Sequence, residues 1–378
     1  MNQNDTLWKP SKDLIESSSL YAFMQSLGFS TYKELHTWSC TETASFWQHV
    51  WNFCGVLGDQ TGPVFNKTKA MFDTHFFEDS KLNIAENLLR QKGRHTAITF
   101  WNESGLKRDL SYDELYKQVS SVAQYLTDQG VGIGDRVAGY LPNIPETVIA
   151  MIATASIGAI WSCCSPDLGI QGVCDRLGQI TPKILITVDG YTYAGKIHVV
   201  CDKISEIKKT IQSIEHVIRI PYLGITPVFD DYMCYKKILK TYPPKDIVFE
   251  RFSFNHPFVI LFSSGTTGAP KCIVHGAGGT LIQHMKEHQL HCNIKAGDAV
   301  FYYTTCGWMM WNWLVSTLAS KARVVLFEGS PMHPSPDILM EMARDVGVSF
   351  FGTSAKYLNS LLKIDYKLSW DLPRLKTC

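Results

Sequence analysis

The stretch Leu261 to His275 reads LFSSGTTGAPKCIVH, placing Ser263, Ser264, Gly265, Thr266, Thr267 and Gly268 in a row ahead of Lys271. Glycine reaches backbone angles closed to other residues, so consecutive N–H groups can turn into one concavity and receive phosphate oxygens. The four hydroxyls add donors, and Lys271 adds a positive charge. Small side chains let an anion approach the backbone. The chemistry asked for is a polyphosphate cradle. A Walker P-loop would need Gly-Lys-Ser/Thr opening a helix, whereas here Pro270 precedes Lys271, Cys272 follows it, and KCIVHG resumes strand character. A plain Ser/Thr/Gly hairpin turn is the competing account.

A second constellation, His284-Met285-Lys286-Glu287-His288, fits H-x-x-E-H, and His291 continues the same helical face. Zinc hydrolysis through His284, Glu287 and His288 is the remote alternative it raises. No distant acidic third ligand stands out, and a solvent-facing helix carrying histidines accounts for the same residues. The 11 cysteines, adjacent Cys163 and Cys164 among them, show no paired C-x-x-C spacing. They read as reduced, mostly buried thiols, and no metal site is assigned.

From about Thr96 onward, the elements that must position the loop alternate between β-rich runs and helical periodicity, the pattern of α/β architecture. The strand runs are TAITFW, RVAGYL, AIWSCC, KILITV, HVIRI, FVILFSS, AVFYYTT, RVVLFEG and VSFFGT. Between the first two, Tyr112, Leu115, Val119, Val122 and Leu126 fall on one helical face, and DQGVGIGD closes that helix with glycines. Residues 1–95 differ, with many Trp and Phe and an amphipathic helix expected around TETASFWQHVWNFC. The segment Tyr242 to Pro257, YPPKDIVFERFSFNHP, reads as a linker because its prolines disfavour helix and central strand alike. Two regions follow: a helical lead-in over 1–95 and an α/β body over 96–378.

Composition excludes several function classes. Lys and Arg total 36 against 35 Asp and Glu in 378 residues, so no broad field draws the chain to nucleic acid or anionic lipid. The uncharged run Thr147 to Cys164, TVIAMIATASIGAIWSCC, touches the lower length limit for a membrane span. Ala, Gly, Ser and Thr dominate it, and it reads as a buried helix followed by a buried strand. The N-terminus lacks a basic region followed by an apolar stretch, which favours a cytosolic protein; the sequons at Asn4, Asn66 and Asn102 are then chance matches.

SSGTTGAPK resembles the phosphate-loop signature of the adenylate-forming enzymes: acyl-CoA synthetases, luciferases and peptide-synthetase adenylation domains. YKELHTWSCTETASFWQHVWNF and FFEDSKLNIAENLL are similar to the N-terminal region of the acetyl-CoA synthetase branch. TTCGWMMWNWLVSTLA with FFGTSAKYL looks most like the acetoacetyl-CoA synthetase family. The resemblance implies the large N-terminal domain of that fold, built of stacked α/β subdomains. It also implies a two-step ligase that uses ATP with Mg2+ to convert acetoacetate to an acyl-adenylate, then coenzyme A to form the thioester, in ketone-body use for lipid synthesis. On that resemblance Ser263 to Gly268 and Lys271 hold the β- and γ-phosphates, Trp308, Met309 and Met310 line the acyl pocket, and Arg176 approaches coenzyme A. Ordinary core packing of an aromatic and Met-rich helix start accounts equally for the Trp308 group. In such enzymes the adenine- and ribose-binding residues and the lysine of a small C-terminal domain come later in sequence, so the chain is expected to be a truncated, catalytically incomplete form or a non-catalytic binding fragment. WSCTE, Trp38 to Glu42, mimics one of those later motifs and is expected to cap the N-terminal helix.

Overall fold

A computed structural model describes residues 8–68, 70–105, 107–225, 232–263, 268–368 and 371–378. Two sheets organise it. The larger runs, from edge to edge, Met233–Cys234, His216–Ile220, Ile184–Val188, Arg136–Tyr140, Ile160–Cys164, Pro257–Ser263 and Lys271–Gly276. Every neighbouring pair is parallel except the last, in which Lys271–Gly276 folds back antiparallel on Pro257–Ser263. The smaller runs Phe350–Gly352, Ala299–Tyr302, Arg323–Glu328, Thr96–Asn102 and Lys107–Ser111, again parallel up to a final antiparallel edge. Each strand run read from the sequence is present.

Parallel strands are covered on both faces, so they need continuous apolar runs rather than alternation. All of Ile160–Cys164 and all of Ile184–Val188 are buried. Gly139 sits in the middle strand because a Cβ there would come within 2.9 Å of the Trp161 ring on the neighbouring strand. The helix Pro145–Ser156 buries every residue except Glu146, and Ala and Thr at five of its 12 positions let it lie close to the helices Tyr112–Asp128 and Ile84–Leu88. Burying Ile149 and Ile152 in that layer stabilises by about 1.5–3 kcal/mol apiece. The uncharged run is therefore a helix and a strand of the core, and among the described residues no helix is long and apolar enough to cross a membrane.

The helix Tyr112–Asp128 starts on a capping box, with Ser111 accepting from the Glu114 N–H and the Glu114 carboxylate accepting from Ser111. Tyr112, Leu115, Val119, Val122 and Leu126 are all buried, as their spacing requires. Gly130, at φ 72°, ends it in the left-handed region that glycine enters at little cost.

The N-terminal part forms the helices Lys12–Glu16, Ser19–Ser26, Tyr32–Thr41 and Thr43–Cys54. Phe23, Val50 and Trp51 join the same apolar core as the large sheet. WSCTE does not act as expected: Trp38 to Thr41 finish one helix, and Glu42, at the start of the next, makes no side-chain cap hydrogen bond.

The segment 242–257 is a packed strap rather than a free linker. Its backbone is held by Ser120 Oγ, which accepts from the Lys245 N–H at 3.0 Å, and by the Tyr116 hydroxyl, which accepts from the Ile247 N–H at 2.8 Å. Arg251 forks onto Glu86 at 2.9 and 2.7 Å. Phe254 is buried against Trp51 and Phe77.

The histidine constellation also departs from expectation. His284 and His288 are buried, because the helix Ala277–Lys286 widens into a π-turn over Glu287–His291 and packs inward. His284 Nδ1 lies 2.8 Å from Ser316 Oγ, and His288 Nε2 lies 3.0 Å from the Trp313 carbonyl. Burial lowers the His284 pKa to about 4, so both rings are neutral packing elements. No group of three or more His, Cys, Asp or Glu among the described residues could hold a metal ion. The cysteines are all free; Cys54, Cys163, Cys164 and Cys306 are buried, while Cys40, Cys272 and Cys378 are exposed.

Candidate functional site

In open α/β sheets, ligands bind outside the carboxyl ends of the strands, where strand order reverses. The large sheet reverses at Arg136–Tyr140, since the next strand in sequence, Ile160–Cys164, lies on one side and Ile184–Val188 on the other. A cavity of about 420 Å³ opens above this point. Its wall takes Asn143, Ser165 and Tyr191 from just beyond the ends of those strands. Tyr303, Thr304 and Glu328 come from the ends of two strands of the smaller sheet. The carboxyl edges of both sheets thus face one hollow.

The phosphate-loop candidate leaves the large sheet at the same edge. Val259 pairs in parallel with Trp161, so Ser263, four residues on, lies level with Ser165 of the cavity wall. Ser263 pairs with Lys271 in the last rung of the antiparallel hairpin. Gly268 takes φ 118°, open to glycine and strained for any other residue. Ser264, Gly265, Thr266 and Thr267 lie outside the described residues.

Glu328 is the chemically distinctive wall residue. Its Oε2 accepts from the Asn143 N–H at 2.6 Å. Burial pushes its carboxyl up to about 8; the Asp167 and Glu103 carboxylates push the same way, and the Asn143 hydrogen bond opposes. At neutral pH the carboxyl therefore keeps its proton and can donate as well as accept. Asn143 is fixed in turn: its Oδ1 accepts from Trp311 Nε1 at 2.9 Å, and its Nδ2 donates to the Phe327 carbonyl at 3.2 Å.

Glu103 clamps the rim. Its carboxylate accepts from the Ala194, Gly195 and Ser330 N–H groups at 2.9, 3.0 and 3.0 Å. This ties the turn of the hairpin Gly190–Tyr193/Lys196–Val199 to the end of the Arg323–Glu328 strand. The hairpin brings Tyr191 and His198 to the cavity as a stacked pair, with centroids 4.9 Å apart and planes at 17°.

The remaining sequence candidates lie elsewhere. Trp308 is 65% exposed at the start of the helix Met309–Ser316, Met309 is 42% exposed, and Met310 is half-buried; the cavity wall ends at Cys306. For Trp308, core packing is excluded by its exposure. Arg176 sits in the last turn of Ile170–Leu177, where its Nη1 donates to the Gly172 carbonyl at 2.8 Å. Asn143, Glu328 and Glu103 escaped sequence reading. Glu328 alone left a trace, a carboxylate closing the apolar run Val324–Phe327.

The AMP-binding enzyme family profile matches residues 85–378. An acetoacetyl-coenzyme A synthetase of Rhizobium meliloti is 44% identical over 96% of this chain and 57% of its own length. An acetoacetyl-CoA synthetase of Mus musculus is 41% identical over 90% of this chain and 52% of its own length. A malonamoyl-CoA synthetase of Penicillium aethiopicum is 38% identical over 94% and 54%. The solved acetoacetyl-CoA synthetase from Streptomyces lividans superposes with a TM-score of 0.93 at 36% identity, covering 98% of this chain and 59% of that one. The chain spans about half the length of the curated relatives it matches.

Proposed function

The chain belongs to the AMP-binding enzyme family, and from that premise we propose that it supplies the ATP-phosphate and acyl-binding part of an acetoacetyl-CoA synthetase. The reaction is a two-step ligation. The acetoacetate carboxylate attacks the α-phosphorus of MgATP, pyrophosphate leaves, and the thiol of coenzyme A then displaces AMP. Mg2+ enters on the nucleotide as part of the substrate. The setting is the cytosol, in the use of ketone bodies for lipid synthesis.

One observation carries this reading: the Ser263–Lys271 hairpin end stands on the same sheet edge as the 420 Å³ cavity. A triphosphate on the hairpin places its α-phosphorus toward the hollow, where a small acid can reach it. Charge that moves onto pyrophosphate is met by Lys271 and by the loop donors Ser263 to Gly268, which lowers the barrier electrostatically. Trp308, Met309 and Met310, at the start of the helix that follows the Thr304–Cys306 wall, cover the acyl group. Arg176 contacts coenzyme A from the helix that follows Ser165. In this reading residues 1–95 are a helical lead-in and 96–378 the AMP-binding body.

The test is ATP binding by the purified chain. A charge-assisted phosphate contact contributes about 1.5–3 kcal/mol, so Lys271→Gln is expected to weaken MgATP binding roughly tenfold or more. Equal affinity of the variant and the parent for MgATP would remove the basis of the proposal.

A further inference from the structure

A second cavity, of about 290 Å³, opens beside the amino ends of the strands Ala299–Tyr302 and Arg323–Glu328, where the N-terminal helices meet the body. Its wall includes Ser19 from the first turn of one helix, Cys54 from the end of another, Arg90, Lys295 from a loop of the body, and Ser320 and Lys321 from the end of the 3-10 helix Thr317–Ser320. Its charge is one-sided. Three cations line it, and no carboxylate forms part of the wall.

Arg90 is half-buried and makes no hydrogen bond or ion pair among the described residues. Burial lowers its pKa, the sign of a guanidinium losing water without gaining a partner. Its one electrostatic neighbour, Cys54, does not neutralise it, because burial pushes that thiol up to about 12. By contrast, Arg251 forks onto Glu86 and Asp59, and Arg108 onto Glu146. Lys295 reaches the Ser17 carbonyl at 2.7 Å, which pins an ammonium at the rim without cancelling its charge. Ser320 Oγ accepts from Gln289 Nε2 at 3.3 Å, leaving its own O–H free to donate inward. Leaving a desolvated cation unpaired is costly, and a bound anion offsets that cost.

We propose that this cavity is a binding site for a phosphate-class oxyanion, held by the Arg90 guanidinium and the Lys295 and Lys321 ammonium groups, with the Ser320 hydroxyl as a further donor. Guanidinium suits such an anion because its fork matches two oxygens at once. The bound ion bridges the N-terminal helices to the body, since Ser19 and Cys54 belong to one and Ser320 and Lys321 to the other.

The experiment is calorimetric titration of the purified chain with inorganic phosphate, with chloride balancing ionic strength, and with AMP in parallel to separate a free ion from the phosphate end of a nucleotide. Saturable phosphate binding at one site per chain is expected, surviving Lys271→Gln and weakened roughly tenfold or more in Arg90→Gln/Lys321→Gln. The Lys271→Gln arm keeps this site distinct from the ATP-phosphate hairpin. Should the double variant fail to fold, Lys295→Gln/Lys321→Gln, which changes only exposed side chains, is expected to weaken phosphate severalfold. No saturable phosphate binding by the parent, or binding lost in Lys271→Gln and kept in the cation variants, overturns the proposal; a response to AMP alone overturns the free-ion form of it.

Discussion

Glu328→Gln is the most informative substitution, because it removes a titration and little else. Gln keeps the length of Glu and an acceptor for the Asn143 N–H, so the cavity wall is preserved. In the folded chain burial chiefly pushes the Glu328 carboxyl up to about 8, from an ordinary value of 4.5 in the unfolded chain. The folded state therefore binds the extra proton between those values. Stability contributed by that proton is complete below the unfolded value and is lost as pH rises through the folded one. Between pH 6 and pH 9 this single group accounts for a loss of about 2–3 kcal/mol. Chemical denaturation of parent and variant across that range isolates the contribution, since all other groups cancel in the difference. The stability of Glu328→Gln relative to the parent is expected to rise by that amount from pH 6 to pH 9. A constant separation between the two profiles would mean that the carboxyl titrates normally and that the account of the cavity's electrostatics is wrong.

Two further outcomes follow from packing and from the rim clamp. Phe254→Ala removes a ring buried against Phe77 and Trp51 and is expected to cost about 3–5 kcal/mol by denaturant unfolding; Gly278→Ala, whose Cβ would fall 2.3 Å from the Phe254 ring, is destabilising in the parent but tolerated with Phe254→Ala, and additive effects would refute the contact. Glu103→Ala strands three backbone donors, so limited proteolysis is expected to cut the 190–199 hairpin faster while the core stays resistant; unchanged cleavage would show that the clamp does not hold it.

The frame of the fold was legible because it obeys short periods. Pro257–Ser263, Ile184–Val188 and Arg323–Glu328 read as strands because continuous apolar runs between turn residues suit parallel strands covered on both faces. The helix Tyr112–Asp128 read correctly because its face and its cap agree. Lys107–Ser111 went unread: it carries charge at successive positions and sits on a sheet edge. The strand Lys196–Val199 went unread because it is exposed along its whole length, so no burial pattern marks it. The histidines at 284 and 288 misled because a local motif does not reveal which way a helix face points.

The candidate site divides along the same line. The hairpin from Ser263 to Lys271 is a contiguous string, and contiguity is what sequence displays. The cavity is assembled from Asn143, Tyr191, Tyr303 and Glu328, with Glu103 clamping its rim, and their meeting depends on two sheets presenting their carboxyl edges to one gap. That assembly also sorts charge. Lys271 stands at the antiparallel edge of the large sheet, while the carboxyls of Asp167 and Glu328 stand in the hollow. An ionised pair there would repel the carboxylate of any small acid. Burial and the mutual repulsion of the two groups instead keep Glu328 protonated at neutral pH, so the hollow presents a hydrogen-bond donor in place of a second negative charge.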